Sequence, residues 1–297
     1  MGQLMRAEKL IKKMLNRTEL QGVILDWDET ITDRDSLDLI FRIAFRVKPE
    51  FPYKLNHFVG IYKDRFRDYV DHEVKGSECE ARDTVKKEIQ YQRGMKPVEL
   101  SSVYEARRLG LFKGISREKF VNYEQTLGQN SDQLLPLKPG VVEFLKMLYR
   151  KVPITILSVN WTSLMMKQRL KEFGFEEDKE WLHFLVNELV FDEHGMSTGN
   201  NTGEEEDIRT GYDKMMKTRQ IVKDCPNGKH FVYFGDSSTD VLAMIETGKA
   251  VALGTGARDQ LKRMGFKVEG PEEEKNMHDL SEEAAYIFAK DFTIVAS

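Results

Sequence analysis

Short apolar runs bounded by glycine or polar residues mark the strands that this sequence predicts. The first run, residues 23–25, lies between Gly22 and Asp26, and its β-branched side chains favour a buried strand of a parallel sheet. Later runs predict further strands at 154–159 (ITILSV), at 183–191 (HFLVNELVF, entering a turn at EHG), at 230–235 (HFVYFG) and at 250–253 (AVAL, the last core strand).

Helical spacing of apolar residues dominates one long stretch, residues 35–134, in segments such as LDLIFRIAF and VGIYKDRFRDYV. Strand–helix alternation on both sides of this block predicts an α/β sheet interrupted by a helical insert. We therefore expect residues 1–34 and 135–297 to form the sheet domain and residues 35–134 to form a second, helical domain. Outside the insert, the pattern predicts helices at 141–151, 161–174, 213–224 and 241–248, and a solvated acidic loop at 199–207 (GNNTGEEED).

The N-terminal segment is too polar for a signal peptide, although Leu10, Ile11, Met14 and Leu15 recur at helical spacing. This spacing predicts a short amphipathic helix that docks on the protein surface or frays. A membrane or partner anchor is the alternative, and the narrow apolar face of the segment counts against it.

Composition narrows the classes of protein that this chain can represent. Its 297 residues include 45 Lys+Arg and 49 Asp+Glu, which gives a net charge of −4 and no general attraction to nucleic acid or anionic lipid. Two cysteines, Cys79 and Cys225, exclude a disulfide framework and a cysteine-built zinc site. The longest apolar run, at 152–159, is much shorter than the roughly 20 residues that span a bilayer. We expect a cytoplasmic protein that binds neither nucleic acid nor membranes.

Two aspartates directly follow the first predicted strand, in the sequence DWDET at 26–30. Side chains two positions apart on an extended chain point the same way, so Asp26 and Asp28 can face one site. In open α/β sheets, ligands bind in the crevice beyond the carboxyl ends of the strands. Taken alone, the motif is equally compatible with an Asp-rich turn that has no chemical role.

A second strand ends in the same way, because HFVYFG leads directly into Asp236 and Asp240 follows it. If the two strands are neighbours, these carboxylates converge with Asp26 and Asp28. Two carboxylates about 4 Å apart repel each other by roughly 4 kcal/mol at an effective dielectric constant near 20, so the cluster needs a cation or a raised pKa. An oxygen donor set fits Mg²⁺, whereas zinc would call for histidine or cysteine ligands.

Phosphate binding needs hydrogen-bond donors and positive charge near the same strand ends. Ser158 and Asn160 follow the third core run, and Lys214 lies at the start of a predicted helix, where the helix dipole also favours an anion. Lys217 competes for the same role, and Lys214 is preferred because it lies nearer the helix start. As isolated residues, the serine and the lysine would be an ordinary strand-end serine and an ordinary surface lysine.

In this order, Asp-x-Asp at 26–28, Ser158, Lys214 and Gly-Asp-x₃-Asp at 235–240 resemble the motifs of the haloacid dehalogenase superfamily. The alternating sheet segments around the motifs extend the resemblance over most of the chain. It implies a Rossmann-like parallel sheet with helices on both faces and an all-helical cap of the C1 type, inserted where residues 35–134 lie. Trp27, Glu29 and the SVNW segment depart from the commonest motif forms and leave the substrate open.

The resemblance also implies a role for each motif residue. Asp26 is the expected nucleophile, forming an aspartyl-phosphate, and Asp28 the general acid and then the base. Superfamily members that dehalogenate lack an acid at the position of Asp28, so its presence favours a phosphatase. Mg²⁺ is expected on the Asp26 carboxylate, the Asp28 carbonyl and the Asp236 carboxylate, with Asp240 in support. The residues expected to hold the phosphoryl group are Ser158, Asn160 and Lys214.

The sequence thus predicts a Mg²⁺-dependent phosphatase that acts on a small phosphorylated metabolite. The segments at 91–116 and 212–222 are similar to thiamine monophosphate phosphatases, and phosphoserine phosphatases have the same cap placement. A phosphotransferase or mutase of the same superfamily is the alternative enzyme, and a non-catalytic ligand-binding protein is the alternative outside catalysis. The candidate substrate contacts are Asp35 and Ser36, after the catalytic loop, and Tyr91 and Arg93, in the insert.

Overall fold

The computed structural model describes residues 11–15, 20–202, 207–223, 230–270 and 285–296. Its strands are β1 (Gly22–Leu25), β2 (Ile154–Leu157), β3 (Leu182–Leu185), β4 (Leu189–Phe191), β5 (Ser197–Asn201), β6 (Phe231–Gly235), β7 (Ala250–Ala252), β8 (Val268–Glu269) and β9 (Tyr286–Phe288). Seven of them form a central sheet with the order β3-β2-β1-β6-β7-β9-β8, in which every neighbouring pair runs parallel. The other two, β4 and β5, pair antiparallel in a separate ribbon.

Single helices separate β2 from β3, β5 from β6, β6 from β7 and β7 from β8, whereas a run of helices lies between β1 and β2. That run comprises α1 (Leu37–Val47), α2 (Leu55–Tyr69) with a π-helical turn at Val70–Val74, α3 (Val85–Gly94), α4 (Lys96–Arg108), α5 (Arg117–Val121), α6 (Tyr123–Leu127) and α7 (Ser131–Leu134). The later helices are α8 (Val141–Leu148), α9 (Leu164–Lys171), α10 (Gly211–Lys223), α11 (Val241–Thr247), α12 (Thr255–Arg263) and α13 (Thr293–Ala296).

Helices cover both faces of the sheet, as the alternation of strand side chains requires. Val23 and Leu25 of β1 contribute to one apolar cluster, which also contains Phe144 of α8. Ile24, between them, belongs to a second cluster with Met244 of α11. The predicted α/β fold, a parallel sheet with helices on both faces, is therefore confirmed.

The central position of β1 decides where the site lies. Leu25, the last residue of β1, pairs with Ile156 of β2 on one side and with Phe234 of β6 on the other. The chain runs outward from β1 to β2 and β3, and it then returns to the other side of β1 at β6. Such a switch point opens a crevice at the carboxyl ends of the two neighbouring strands, here β1 and β6.

The helical run packs onto the sheet part of the chain through a shared apolar cluster. Phe41 of α1 and Phe112 lie in this cluster together with Trp161 and Leu164, which follow β2. Phe41 and Trp161 have their ring centroids 5.2 Å apart. The division into a sheet domain (1–34 and 135–297) and a cap domain (35–134) stays a prediction, which we keep as a proposal.

One predicted strand, at 183–191, is wrong in its extent. The segment forms two strands, β3 and β4, which belong to different sheets and are separated at 186–188. The break has a physical cause in Asn187, whose buried side chain donates hydrogen bonds to backbone oxygens of Val159, Asn160 and Ile208. An apolar run around one asparagine therefore conceals a turn.

The acidic loop predicted at 199–207 is also partly wrong, because residues 199–201 belong to β5. β5 pairs with β4, and its Ser197 exchanges backbone hydrogen bonds with the insert, donating to Ile115 and accepting from Gly114. Residues 203–206 of that predicted loop lie outside the described residues. Polar strands of this kind lack the apolar alternation that predicts a strand.

Residues 250–253 do not form the last core strand. β9 pairs with β7 on the side away from β6, and β8 pairs in turn with β9. Both strands are very short, with three and two residues, which is below the length at which apolar periodicity is informative.

Part of the predicted N-terminal helix can be located. Residues 11–14 are helical, and Ile11 and Leu15 are buried in the same cluster as Val23 of β1, so this part packs against the core. Residues 1–10 and 16–19 lie outside the described residues. No helix in the described ranges combines the length and the apolar character needed to cross a bilayer.

Candidate active site

Asp26 is fixed at the carboxyl end of β1 by the sheet itself. Its backbone N–H donates to the carbonyl of Phe234 in β6 at 2.9 Å, which continues the parallel ladder one residue beyond the strand. The chain then turns, because the Trp27 carbonyl accepts from the N–H groups of Ile31 (2.9 Å) and Thr32 (3.0 Å). This turn holds the carboxylate of Asp26 at the crevice between β1 and β6.

Within the turn, Glu29 adopts a left-handed backbone conformation with φ of 54°. Non-glycine residues rarely adopt this region, because the Cβ atom approaches the following carbonyl oxygen. Glu29 is exposed and lines the cavity described below. The loop that carries Asp26 and Asp28 is therefore strained at one position next to the site.

The second aspartate pair is placed by β6 and the start of α11. The backbone N–H groups of Asp236 and Ser237 both donate to Oδ2 of Asp240, at 3.2 and 3.1 Å, and Tyr233 Oη donates to its Oδ1 at 2.8 Å. Gly235 makes this possible, since a Cβ atom there would lie 2.5 Å from Cγ of Asp240. The Gly-Asp-x₃-Asp motif is thus a loop folded around the carboxylate of Asp240.

Lys214 of α10 forms an ion pair with one aspartate of each pair, Asp26 and Asp240. Its Nζ donates to Oδ1 of Asp26 and to Oδ1 of Asp240, both at 2.7 Å, and its side chain is 1% exposed. Burial by itself would lower the pKa of Lys214, but the charges of Asp240 and Asp26 outweigh burial and raise it. Lys214 is consequently a protonated cation inside the site.

The carboxylates retain an excess of negative charge despite this lysine. Burial raises the pKa of Asp26, and the charge of Asp240 raises it further against the opposing effect of Lys214. Burial likewise raises the pKa of Asp236, to about 7, with Asp240 again contributing. Buried groups whose charged form is disfavoured in this way attract a further cation.

A divalent cation fits the donor set that these residues offer. Asp26, Asp236 and Asp240 each provide a carboxylate oxygen, and the oxygens lie within 4.8 Å of one another. All are hard oxygen donors, which suits Mg²⁺ and not zinc. Both oxygens of Asp240 are already occupied by hydrogen bonds, so Asp26 and Asp236 are the better-placed ligands and Asp240 the residue that positions them.

Asp28 belongs to a separate hydrogen-bond network on the same loop. Its Oδ1 accepts from the backbone N–H of Ser36 at 2.7 Å and from the Ser36 hydroxyl, and its Oδ2 accepts from Nδ2 of Asn160 at 3.0 Å. Burial raises the pKa of Asp28 to about 6, with the charge of Asp35 contributing, although these hydrogen bonds act in the opposite direction. Asp28 can therefore hold and release a proton near neutral pH.

These groups surround a cavity of about 220 Å³, which we call the aspartate cavity. Its volume is sufficient for a phosphoryl group and the first atoms of its ester. The residues that line it are Asp26, Asp28, Glu29, Asp35, Leu37, Val159, Asn160, Lys214, Asp236, Ser237 and Thr239.

Several residues singled out in the sequence lie elsewhere. Ser158 is 1% exposed behind the cavity wall, and its hydroxyl accepts from the backbone N–H of Asn160 at 3.1 Å. Lys217 is not on the wall, which leaves Lys214 as the lysine at the site. Tyr91 packs under Arg82 and Arg93 lies over the ring of Tyr212, so the structure does not bring either of them to the aspartate cavity.

Two further residues, which the motifs above do not single out, contribute to the site. Thr30 Oγ1 donates to Oδ1 of Asp236 at 3.2 Å, and Tyr233 lies within a run whose apolar character marked it only as core. The threonine of the DWDET segment was available as a clue. Tyr233 could be found only once β6 was known to place its hydroxyl beneath Asp240.

The chain shows distant similarity to known proteins, and no protein-family model matches it. It is 24% identical over 244 residues to Cold tolerance protein 1 of Saccharomyces cerevisiae, in a match that covers 75% of each protein. A solved structure of a Bordetella pertussis protein of unknown function has a TM-score of 0.50 at 13% identity, covering 84% of this chain and 97% of that one. A substrate-bound phosphoserine phosphatase has a TM-score of 0.47 at 16% identity, covering 82% of this chain and 90% of that one.

The order of the sheet strands, with the loops that follow them, is more informative about the fold than any single similarity. An Asp-x-Asp loop leaves the central strand and leads directly into the helical insert, and a Gly-Asp loop leaves the neighbouring strand. Both features agree with the resemblance seen in the sequence motifs. The chain accordingly has the α/β fold that this resemblance implies, and its likeness to the Bordetella pertussis structure agrees with that fold.

Proposed function

We propose that this chain is a phosphohydrolase that removes the phosphoryl group from a small phosphorylated metabolite. The observation that supports this most is the convergence of Asp26, Asp236 and Asp240 with the buried cation of Lys214 at the ends of β1 and β6. Such a site combines a carboxylate nucleophile with the positive charge that a transferring phosphoryl group requires.

Asp26 is the proposed nucleophile. Its Oδ1 is held by Lys214, whereas Oδ2 accepts no hydrogen bond from the described residues and is free to attack phosphorus. Attack forms an aspartyl-phosphate and breaks the bond between phosphorus and the ester oxygen. The Lys214 ammonium lies beside the attacking group and stabilises the charge on the phosphoryl oxygens.

Asp28 is the proposed general acid and base. With a pKa of about 6 it is partly protonated near neutral pH, so it can donate a proton to the departing ester oxygen. The resulting carboxylate then removes a proton from the water that hydrolyses the aspartyl-phosphate. Asn160 and Ser36 keep Asp28 in position through their hydrogen bonds.

Asp26 and Asp236 would hold a Mg²⁺ ion, with Asp240 fixing the loop behind them. When bound, the ion neutralises charge on the carboxylates and on the phosphoryl oxygens that they approach. Asn160 and Lys214 complete the proposed phosphate contacts at the cavity wall, and Ser158 supports Asn160 from behind. Asp35 lines the cavity and remains a proposed substrate contact.

A generic aryl phosphate tests the reaction. We expect release of inorganic phosphate with Mg²⁺, loss of that activity with EDTA, and a decrease of at least about 10³-fold in kcat for Asp26→Asn. Asp64→Asn, at an exposed position on α2, is the matched control and should retain activity.

The products and the substrate range distinguish a phosphohydrolase from the alternative functions. Transfer of the phosphoryl group to an added alcohol, without phosphate release, would identify a phosphotransferase. Undiminished activity of Asp26→Asn, or equal rates with Mg²⁺ and with EDTA, would contradict the mechanism. A panel of phosphorylated metabolites, including phosphoserine and thiamine monophosphate, ranked by kcat/KM would then identify the preferred class.

A further inference from the structure

A second and larger cavity adjoins the aspartate cavity. Its volume is about 430 Å³, within the range of small-molecule sites, and the two cavities share Asp35 and Leu37 in their walls. We call it the aromatic cavity. Its lining residues are Asp35, Leu37, Asp38, Phe41, Leu55, Phe58, Val59, Tyr62, Glu99, Ser102 and Trp161.

Aromatic rings form much of this wall, and they are fixed by packing against one another. The ring centroid of Phe41 lies 5.4 Å from that of Phe58 and 5.2 Å from that of Trp161. All three side chains are almost fully buried, so their rings are held rigidly. Rigid aromatic faces attract organic cations through the negative face of the ring, and they also stack on flat groups.

The charged groups of the wall all have the same sign. Asp35, Asp38 and Glu99 are acidic, and no lysine, arginine or histidine lines the cavity. Within the described part of the chain, none of the three carboxylates forms an ion pair with a basic residue. Their electrostatic complement is therefore a positively charged occupant.

Glu99 is the deepest of these acids. Its Oε1 accepts from Tyr62 Oη at 3.2 Å, and burial raises its pKa to about 7 despite that hydrogen bond. A cation bound near Glu99 would favour its charged form, so the group can adjust to such an occupant.

The positive charge of Arg209 acts on Glu99 and lowers its pKa, against the effect of burial. Its guanidinium lies 5.8 Å from the ring of Trp161, and its Nη2 donates to Asp207 at 3.2 Å. It is buried outside the cavity wall, behind the indole. An acidic occupant is therefore the alternative that the experiment has to test.

We propose that the aromatic cavity binds the leaving group of the substrate, and that this group carries a positively charged amine, quaternary ammonium or cationic ring. The inference rests on the proposed function, because the phosphoryl group would occupy the adjoining aspartate cavity. The expected substrate class is a phosphomonoester whose alcohol part is a compact organic cation.

Three benzyl phosphates of matched shape test the proposal with the full chain and Mg²⁺. They carry a trimethylammonio, a tert-butyl or a carboxylate group at the ring 4-position, so that charge is the main difference among them. We expect kcat/KM for the cationic ester to exceed that for the neutral ester by about tenfold, and the anionic ester to be the poorest substrate.

Variants of the wall residues then test whether the aromatic cavity causes this preference for a cationic ester. Glu99→Gln and Asp38→Asn should each lower the ratio of cationic to neutral kcat/KM by about threefold or more. Asp64→Asn on α2 removes an equal charge away from the cavity and should leave this ratio unchanged. Asp38 is exposed, so its variant tests the idea even if Glu99→Gln folds poorly.

The outcomes separate this inference from the proposed function. Turnover of all three esters with equal or neutral preference, or a preference for the carboxylate, overturns the cation site and leaves the phosphohydrolase standing. If no ester is hydrolysed, calorimetric binding of the corresponding alcohols decides the preference of the cavity independently of the proposed function. Tighter binding of the trimethylammonio alcohol than of the tert-butyl alcohol supports a cation site, and equal binding overturns it.

Discussion

Glu29 shows how one residue can hold an active-site loop in a strained shape. Its positive φ of 54° suits glycine, so Glu29→Gly should raise the free energy of unfolding by about 1 kcal/mol, measured by urea denaturation. Glu29→Ala is the matched control, because it removes the charge but keeps the Cβ atom that causes the strain. A gain of the same size in both variants would assign the effect to charge and contradict this explanation.

The raised pKa of Asp236 makes metal binding dependent on pH. Burial, with the charge of Asp240, raises that pKa to about 7, so below pH 7 a cation must displace a proton. We expect the dissociation constant for Mg²⁺ to rise by about fivefold between pH 7 and pH 6 through the proton on Asp236, and to level off above pH 8. Titration calorimetry at constant ionic strength measures it, and equal affinity at pH 6 and pH 8 would refute this assignment.

Sequence alone locates residues that directly follow a strand, because the strand end fixes where they lie. Asp26 and Asp236 are of this kind, and the sequence alone predicts both at one crevice. Glu99 and Trp161 were not predicted for any site, since their role depends on how α1, α2 and α4 fold together around a cavity. Such residues have no local signal beyond being acidic or apolar.

At the scale of elements, Asn187 joins the loop that follows β2 to the segment that precedes α10, the helix of Lys214. Its Nδ2 donates to the carbonyls of Val159, Asn160 and Ile208, and its Oδ1 accepts from the Ile208 N–H at 2.8 Å. Asn187→Ala should destabilise the protein by about 2–4 kcal/mol, because it leaves buried backbone groups without partners. The loop of Asn160 should also loosen, which lowers kcat.

Urea denaturation and turnover of an aryl phosphate measure the two effects of Asn187→Ala. Asn200→Ala is the control, because Asn200 is exposed on β5. Its hydrogen bond to Thr198 comes from the backbone N–H, which the substitution keeps. A loss of stability below about 0.5 kcal/mol for Asn187→Ala would show that its hydrogen bonds are replaced by water.

Elements with a clear apolar pattern are the ones that the sequence predicts well. β6 is a continuous apolar run in which every residue is buried, and the buried residues of α1 recur at helical spacing. The ribbon of β4 and β5 was missed because Ser197–Asn201 is polar and pairs with a strand beyond a turn. Pairing of this kind is decided by tertiary contacts and not by local propensity.

At the scale of the whole molecule, the insert is tied to the sheet part by buried polar contacts as well as by the shared apolar cluster. Glu88 of α3 is fully buried and accepts from Arg82 Nε at 2.7 Å, from Gln92 Nε2 at 2.8 Å and from Gln260 Nε2 at 3.0 Å. Gln260 belongs to α12, so this network crosses from the insert to the sheet part. The boundaries at 35 and 134 stay a proposal, and these contacts join the residues on either side of them.

Glu88→Ala should therefore destabilise the protein by about 3–5 kcal/mol, since it leaves the Arg82 guanidinium without its partner. Urea denaturation gives the total loss, and limited proteolysis with mass spectrometry shows whether cleavage begins within 37–134. Asp64→Ala removes an exposed acid of α2 and should change stability by less than about 0.5 kcal/mol. Equal effects of the two substitutions would show that the network does not anchor the insert.

Lys214 has a consequence for how the protein assembles. Its ammonium group is a cation supplied by the chain itself, placed between Asp26 and Asp240 in the fully folded arrangement. The nascent chain can therefore bring its aspartates together with an internal counterion and does not have to wait for a divalent ion. The site is then formed before any divalent ion binds, and the proposed metal would be an exchangeable reagent and not a part of the scaffold.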